Sequence, residues 1–231
     1  MSALAGRVRT MTRARSFTYP RAPVSDWWAG YLPSLDTAHA GAATAGLLAL
    51  LRAGEQSAQA TFSRLVTRLP HGSARELQSA LVNIGADEAR HDQLLAAAGN
   101  VAGVVQVRPP TSVRRFFLRL ESREIGVHLA RVASLDACVC QTVAAVLNAK
   151  PQWLHPTLVL ALGEIRRDEG RHVKLTKSLA QKMGVGPELF RDVGAETRHG
   201  FDAVLAIYDT ALFELGVDTH TLHRRIRRDG C

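Results

Sequence analysis

The sequence predicts an all-α protein: a four-helix bundle with an additional C-terminal helix and a loose N-terminal extension. Two observations lead to this fold class. Between the prolines of the central part of the chain, apolar residues recur with the heptad-like spacing of helices that pack in bundles. Prolines are sparse in the central part of the chain and fall where helices should stop, at Pro70, Pro109, Pro110, Pro151 and Pro156.

The prolines and the regularly spaced apolar residues together define five helices. Their predicted bounds are about 36–69, 73–98, 112–148, 155–183 and 187–216. Residues 99–111 join the second helix to the third and would span about 40 Å when extended, enough to cross the bundle. At 231 residues the chain can bury one good core. We therefore expect a helical domain over 35–217, a partly disordered extension over 1–34 and a basic tail over 218–231.

Charge is distributed unevenly along the chain. The formal net charge is +8, and residues 1–21 hold five arginines and no acid. A second basic run, His223 to Arg228, lies near the C-terminus. Basic ends attract nucleic acid, an acidic carrier protein or an acidic electron donor, although a solvated arginine-rich tail has the same composition. The solvated tail is the favoured interpretation. An acidic electron donor stays open as a partner, and nucleic acid is not expected to be one.

Cysteine usage and hydropathy narrow the class of protein further. Cys138, Cys140 and Cys231 form no C-x-x-C pair, which argues against a disulfide framework and against a thiolate metal site. No apolar run in the sequence approaches the roughly 18–20 residues of a membrane span. The start of the chain lacks the apolar stretch of a secretory signal. We expect a cytoplasmic bacterial protein without a membrane partner.

Acidic residues interrupt the apolar stripe of each of the first four helices at mid-length. The sequence places Glu55 in the first helix, Glu88 and His91 in the second, Asp136 in the third, and Glu169 and His172 in the fourth. Burying an unpaired carboxylate costs several kcal/mol, so such positions are rare unless they are paired or bind metal.

The spacing of these interruptions shows a repeat. Thirty-three residues separate Glu55 from Glu88, and the same number separate Asp136 from Glu169. The two members of each pair are equally far from the predicted turn between their helices. At 1.5 Å per residue, each carboxylate is about 25 Å from that turn. The pentapeptides DEARH and DEGRH each supply a Glu and a His three residues apart, on one helix face. The chain therefore looks like a duplicated helical hairpin with all four carboxylates at one depth.

Four carboxylates and two imidazoles suit two metal ions that share carboxylates. Oxygen ligands with imidazole favour iron or manganese, and the sequence does not choose between an Fe/Fe and an Mn/Fe pair. Asp87 and Asp168, beside the ligand stripe, could accept the far N–H of a ligating histidine. Arg90 and Arg171 are expected to pair with acids that do not bind metal.

Over about residues 36–183, the chain resembles the ferritin-like di-iron carboxylate proteins. The resemblance rests on Glu55, Glu88-x-x-His91, Asp136 and Glu169-x-x-His172. Short stretches, GEQ at 54–56 and YDTALFELGVD near the C-terminus, look locally like aldehyde-deformylating oxygenase. Asp136 departs from the family pattern, which usually has Glu, and its shorter side chain would bridge metals less well.

The resemblance implies an oxidase or oxygenase that uses two iron ions and O2 to oxidise a small organic molecule, as in bacterial specialised metabolism. A ferredoxin or reductase would supply electrons, and a homodimer is compatible with the family. The long additions before the first helix and after the fourth favour such an enzyme. Two alternatives stay open: a ferroxidase or iron-storage protein without an organic substrate, and a tRNA-modifying di-iron hydroxylase.

Several further residues are candidates for roles near the site. Gln59 and Cys140 lie one turn beyond Glu55 and Asp136, where a substrate pocket could open, and ordinary packing explains them equally well. Tyr208 is a pocket or redox candidate, with core packing favoured. His128 is expected outside the ligand set, and Trp27 with Trp28 is expected to cap the bundle.

Overall fold

The described part of the chain consists of α-helices and contains no strand. The structure, a computed structural model, describes residues 41–69, 75–149 and 154–228. Its helices are α1 (Ala42–Arg68), α2 (Arg75–Val101), α3 (Thr111–Arg119), α4 (Ile125–Ala149), α5 (Pro156–Lys182), α6 (Pro187–Ala206), α7 (Asp209–Glu214) and α8 (Thr219–Arg227). The all-α prediction is confirmed for these residues. The predicted N-terminal extension, with Trp27 and Trp28, lies outside them.

The long helices pack in two pairs. Helix α1 lies along α2, α4 lies along α5, and α2 contacts α5 across the pairs. Residues 70–74, between α1 and α2, and residues 150–153, between α4 and α5, are outside the described ranges. The connection from α2 to α4 covers residues 102–124 and includes α3, so it is longer than the crossover predicted over 99–111.

The prediction of one helix over 112–148 is wrong, because the chain breaks between α3 and α4. Side chains from neighbouring elements satisfy the carbonyl groups that the break releases. The Nδ1 atom of His128 lies 3.1 Å from the carbonyl oxygen of Leu120, and Arg68 donates to the carbonyls of Ser122 and Arg123. The Ser122 hydroxyl accepts from the Glu124 N–H at 3.2 Å. These partners replace helical hydrogen bonds at little cost.

The predicted helix over 187–216 is also interrupted, at Ile207 and Tyr208, between α6 and α7. The break turns α7 onto α1, where Gly46 lies so close that an added Cβ would be 3.2 Å from the Ala211 Cβ. Beyond it, residues assigned to the basic tail form α8, with Leu222 and Ile226 buried. The Asp218 carboxylate caps α8 by accepting the Thr221 N–H at 2.9 Å.

Two buried apolar clusters are separated by a polar layer halfway along the long helices. Each of α1, α2, α4 and α5 contributes to both clusters, one at either end of the helix. On α1, for example, Leu51 belongs to one cluster, Phe62 to the other, and Glu55 lies between them. The polar layer is therefore enclosed by apolar packing on both sides, which lowers the local dielectric and excludes water.

Helix α4 is long and apolar enough, by length and composition, to cross a membrane. The prediction that no apolar run approaches the length of a membrane span is therefore wrong for Ile125–Ala149. Half of the apolar window of α4 is buried inside the protein, and the helix carries the buried Asp136. Core helices of bundles have the same composition, so the apolar character of α4 reflects its central place in the packing.

A charged cluster attaches α8 to α6 and α7. The two nitrogens of His223 lie 2.6 Å from Asp202 and 2.8 Å from Asp209, and Arg227 Nε lies 2.8 Å from Asp202. Burial disfavours the imidazolium form, but hydrogen bonds from His223 to Asp209 and Asp202 outweigh it and raise the pKa of His223. In this cluster the protonated form of His223 is the stabilising one.

Replacing His223 with glutamine should lower the melting temperature by a few degrees at about pH 6 and by much less at about pH 8.5. A raised folded-state pKa gives stability that is complete below the unfolded-state pKa and is lost as pH rises through the folded-state value. Calorimetry of both proteins across this range measures the effect. A difference that is constant with pH would show that the proton on His223 does not contribute. His220→Gln, on exposed surface of the same helix, is the matched control.

Candidate metal centre

The structure brings the six ligands predicted from the sequence together in the polar layer. All six are buried, with side chains from α1, α2, α4 and α5. Two groups of them have ligand atoms within 4.8 Å of one another: Glu55, Glu88, His91 and Glu169, and Asp136, Glu169 and His172. Glu169 belongs to both groups, so its carboxylate is positioned between the two places where a metal ion could lie.

Each histidine directs one ring nitrogen toward the carboxylates. His91 Nδ1 lies 3.3 Å from oxygens of both Glu55 and Glu169. His172 Nδ1 lies 3.2 Å from Glu88 and 3.5 Å from Glu169. The two rings are 6.1 Å apart between centroids. Glu88 and Glu169 thus lie between the imidazoles, in the positions that bridging carboxylates would occupy.

The other nitrogen of each ring meets an aspartate from the opposite copy of the pentapeptide. His91 Nε2 lies 3.2 Å from Asp168, and His172 Nε2 lies 3.3 Å from Asp87. An aspartate that accepts the Nε2 hydrogen fixes the ring orientation and leaves Nδ1 as the free electron-pair donor. The two copies therefore support each other's histidines across the α2–α5 interface.

The arginines of the pentapeptides hold these aspartates. Arg90 forms ion pairs with Asp168 and with Glu164, and Arg171 also pairs with Asp168. The repeated D-E-x-R-H sequence thus has a consistent physical meaning. Glu and His face the cluster, Asp orients the partner histidine, and Arg neutralises an aspartate. Glu164, one turn before Asp168 on α5, was not predicted. The i, i+4 spacing places both acids on the same face of α5, and this was the signal in the sequence that one arginine could pair with both.

Electrostatics inside the cluster are unbalanced without a cation. Burial, followed by the charges of Glu169 and Glu55, raises the pKa of Glu88 well above its ordinary value. Burial and the charges of Glu169 and Glu88 do the same to the pKa of Asp136. For Glu169, burial opposes ionisation, but hydrogen bonds from His172 and His91 lower its pKa to about 2. The cluster therefore retains protons that a metal ion would displace.

The donor set fits metal ions. One of its atoms, Asp136 Oδ2, is buried and has no hydrogen-bond partner. Such groups cost free energy unless something else binds them. Together with Glu55, Glu88 and Glu169, Asp136 gives four carboxylates, whose charge two divalent cations would neutralise. Carboxylate oxygen with imidazole nitrogen suits Fe²⁺ or Mn²⁺.

A small pocket opens directly onto the carboxylates. It has a volume of about 30 Å³, enough for a water-sized molecule. We call it the inner pocket, and the residues lining it are Leu50, Leu51, Gly54, Glu55, Ala58, Glu88, Phe117, Leu135, Asp136, Val139, Glu169 and Phe201. Its walls are apolar apart from the four carboxylates. Phe117 of α3 and Phe201 of α6 are its two aromatic lining residues, and neither was predicted, because the sequence did not place α3 and α6 over the cluster.

The residues predicted to line a pocket lie elsewhere. Gln59 is exposed on α1. The thiol of Cys140 points to the Arg166 carbonyl at 3.6 Å, and Tyr208 packs in the apolar cluster next to Gly46. None of the three lines the inner pocket. His128 is buried outside the ligand set, where burial lowers its pKa and keeps it neutral beside the Leu120 carbonyl.

Comparison with protein-family models, curated proteins and solved structures finds no match to the chain. The interpretation of the site therefore depends on its residues and their geometry: a buried cluster of acidic and histidine side chains that could hold metal.

Changing Asp168 to asparagine should weaken metal binding by about 10- to 100-fold, the usual effect of removing a group that orients a ligating histidine. Asparagine keeps the size of the side chain but loses the charge that faces His91 Nε2. Titration with Co²⁺, followed by its d–d absorption, measures the affinity. Asp192→Asn, an exposed acid on α6, is the matched control. An unchanged affinity in Asp168→Asn would show that Asp168 does not position His91.

Proposed function

We propose that the chain is a ferritin-like, non-haem di-iron oxidase or oxygenase, with an Mn/Fe pair as the alternative metal content, that uses O2 to oxidise a small organic molecule. The observation that carries the proposal is the donor set itself: four buried carboxylates and two histidines from four helices, with Glu169 shared between both groups. Helical bundles that bind paired metal ions through carboxylates use this arrangement.

In this proposal, each group of residues at the site has a distinct role. Glu55, Glu88, His91, Asp136, Glu169 and His172 would hold the metals. Asp168 and Asp87 would keep the Nδ1 atoms of the histidines directed inward. Bound ferrous ions would supply electrons that reduce dioxygen. The apolar walls of the inner pocket would admit a molecule of that size and exclude bulk water from it.

Turnover with an organic substrate would need electrons from outside the protein. We propose an acidic donor of the ferredoxin or reductase type. The formal net charge of +8 supports this through charge complementarity, which speeds association between oppositely charged proteins. Raising the ionic strength should then slow reduction of the metal centre.

Anaerobic loading with ferrous ion, followed by addition of O2, tests the proposal. The iron-loaded protein should consume O2 in proportion to its bound iron, at a rate well above that of the same concentration of free ferrous ion. Zinc-loaded protein is the matched control, because zinc fills the site without redox chemistry. Consumption no faster than that of free iron would contradict the proposal.

A ferroxidase is the second candidate, and the size of the inner pocket favours it. A volume of about 30 Å³ next to the carboxylates accepts dioxygen or water but no larger organic molecule. In that case O2 consumption would end after one oxidation of the bound iron and would resume only with more ferrous ion. Size-exclusion chromatography would show a large hollow assembly if the iron were also stored.

A further inference from the structure

A second, larger cavity lies beside α1, outside the group of six buried ligand candidates that we call the metal-site cluster. Its volume is about 660 Å³, in the range of sites that hold small organic ligands. We call it the outer cavity. It is bounded by α1, the C-terminal half of α2, residues 104–109 and α3. None of the six predicted metal ligands lines it.

The lining of the outer cavity combines an apolar floor with a basic rim. Small and aliphatic residues form the floor: Ala45, Leu48, Ala49, Ala53, Leu95, Ala96 and Val104. Of the arginines that line it, Arg52 pairs with Asp92 at 2.7 Å and Arg64 pairs with Glu121 at 2.8 Å. Arg108 and Arg114 are exposed and form no ion pair with any residue that the structure describes. The two arginines leave uncompensated positive charge at the rim.

Apolar side chains at the same rim face solvent. Val105 is 78% exposed and Leu118 is 64% exposed, and both line the cavity. Exposed apolar surface that borders unpaired cations suits a ligand with one anionic group and one apolar segment. A purely apolar ligand would leave the arginines without a partner, and a purely polar one would leave the floor without contacts.

Phe117 separates the outer cavity from the inner pocket. Among the described residues, it is the only one that lines both. An added Cβ on Gly54 would lie 3.4 Å from the Phe117 ring, so the ring rests on the α1 backbone beside Glu55. Three residues further on, Leu120 is held by the His128 contact, which fixes the C-terminal end of α3. One aromatic ring thus forms part of the wall of both spaces.

We infer that the outer cavity binds an organic carboxylate with an apolar segment, held by Arg108 and Arg114, and that Phe117 controls whether the apolar segment reaches the metal centre. The binding part is independent of the metals, whereas the access part rests on the proposed function. Displacement of one ring would join the two spaces, which reconciles an inner pocket of water size with oxidation of an organic substrate.

Binding can be measured on metal-free protein with octanoate as the probe, by isothermal titration calorimetry. Octanoate should bind, and Arg108→Gln combined with Arg114→Gln should weaken it about fivefold or more, because two charge-assisted contacts are lost. The matched control is Arg115→Gln combined with Arg119→Gln, which removes the same amount of charge from α3 at positions outside the cavity. Octyltrimethylammonium, with the opposite charge, should bind more weakly than octanoate. No octanoate binding, or equal loss in both double variants, would overturn the inference.

Access can be measured on protein loaded with Co²⁺, from the paramagnetic relaxation of the octanoate terminal methyl protons, with zinc-loaded protein as the diamagnetic reference. Phe117→Ala should increase this relaxation several-fold, since relaxation falls with the sixth power of distance. Phe117→Leu, which preserves more of the packing, should increase it less. Gly54→Ala, which adds a methyl group in ordinary contact with the ring, should not increase it.

The outcomes distinguish the inference from the proposed function. Failure of Co²⁺ to bind would contradict the metal centre, and the octanoate titration would still test the outer cavity. Normal Co²⁺ and octanoate binding, with equal methyl relaxation in the parent, Phe117→Ala and Phe117→Leu proteins, would show that Phe117 does not control access.

Discussion

Replacing both His91 and His172 with alanine is expected to reduce bound metal from about two ions per chain to none. Each imidazole supplies a Nδ1 atom that lies among the carboxylates, and each belongs to a different ligand group. The remaining carboxylates would keep their mutual repulsion and lose their nitrogen ligands. Elemental analysis after anaerobic ferrous loading and desalting measures the result.

A matched control for this double variant is His199→Ala combined with His220→Ala. Both histidines are exposed and lie on α6 and α8, away from the metal-site cluster. The control should keep the metal content of the parent protein. Full metal retention after loss of His91 and His172 would show that the histidines are not ligands, even if the fold and the helical content stay the same.

The metal-site cluster was accessible to sequence analysis because its signals are local and periodic. Glu88 and His91 share a helix face through a three-residue spacing, and Glu169 and His172 repeat it. The interruption of an apolar stripe by a carboxylate is visible without any knowledge of how helices pack. For the same reason, the pairing of Arg90 with acids that do not bind metal could be anticipated from the pentapeptide alone.

The connections and the pocket were decided by contacts that are distant in the sequence. The break between α3 and α4 depends on Arg68 from α1, which donates to carbonyls at Ser122 and Arg123, and no local sequence signal encodes that contact. Gln59 was placed near a pocket by counting one turn from Glu55. The inner pocket instead lies on the side covered by Phe117 and Phe201, where packing of α3 and α6 determines the walls.

Asp136 is where the demands of the proposed metal binding and of folding conflict most clearly. It is 6% exposed, its Oδ2 atom has no hydrogen-bond partner, and Glu169 and Glu88 add repulsion. A buried, repelled carboxylate destabilises metal-free protein. The same side chain, with Glu169 and His172, completes the second ligand group. Substitution here should therefore move stability and metal content in opposite directions.

Asp136→Asn should raise the free energy of unfolding of metal-free protein by about 1–3 kcal/mol, while bound iron falls from about two ions per chain to about one. The asparagine amide adds donors that face the neighbouring carboxylates and is neutral without taking up a proton, but it is a poor metal ligand. Urea denaturation in the presence of a chelator measures stability, and elemental analysis measures iron.

The matched control is Asp202→Asn, because Asp202 has the same 6% exposure but lies next to cations. Its carboxylate contacts His223 and Arg227 at 2.6 and 2.8 Å, so the same chemical change should destabilise the protein there and leave the metal content unchanged. The two aspartates are equally buried, so opposite signs of the change in the free energy of unfolding could not be caused by burial. They would show that the absence of a neighbouring cation makes Asp136 destabilising. Retention of both iron ions in Asp136→Asn would show that Asp136 is not a metal ligand. Lower stability of the metal-free variant would show that Asp136 does not destabilise the metal-free fold.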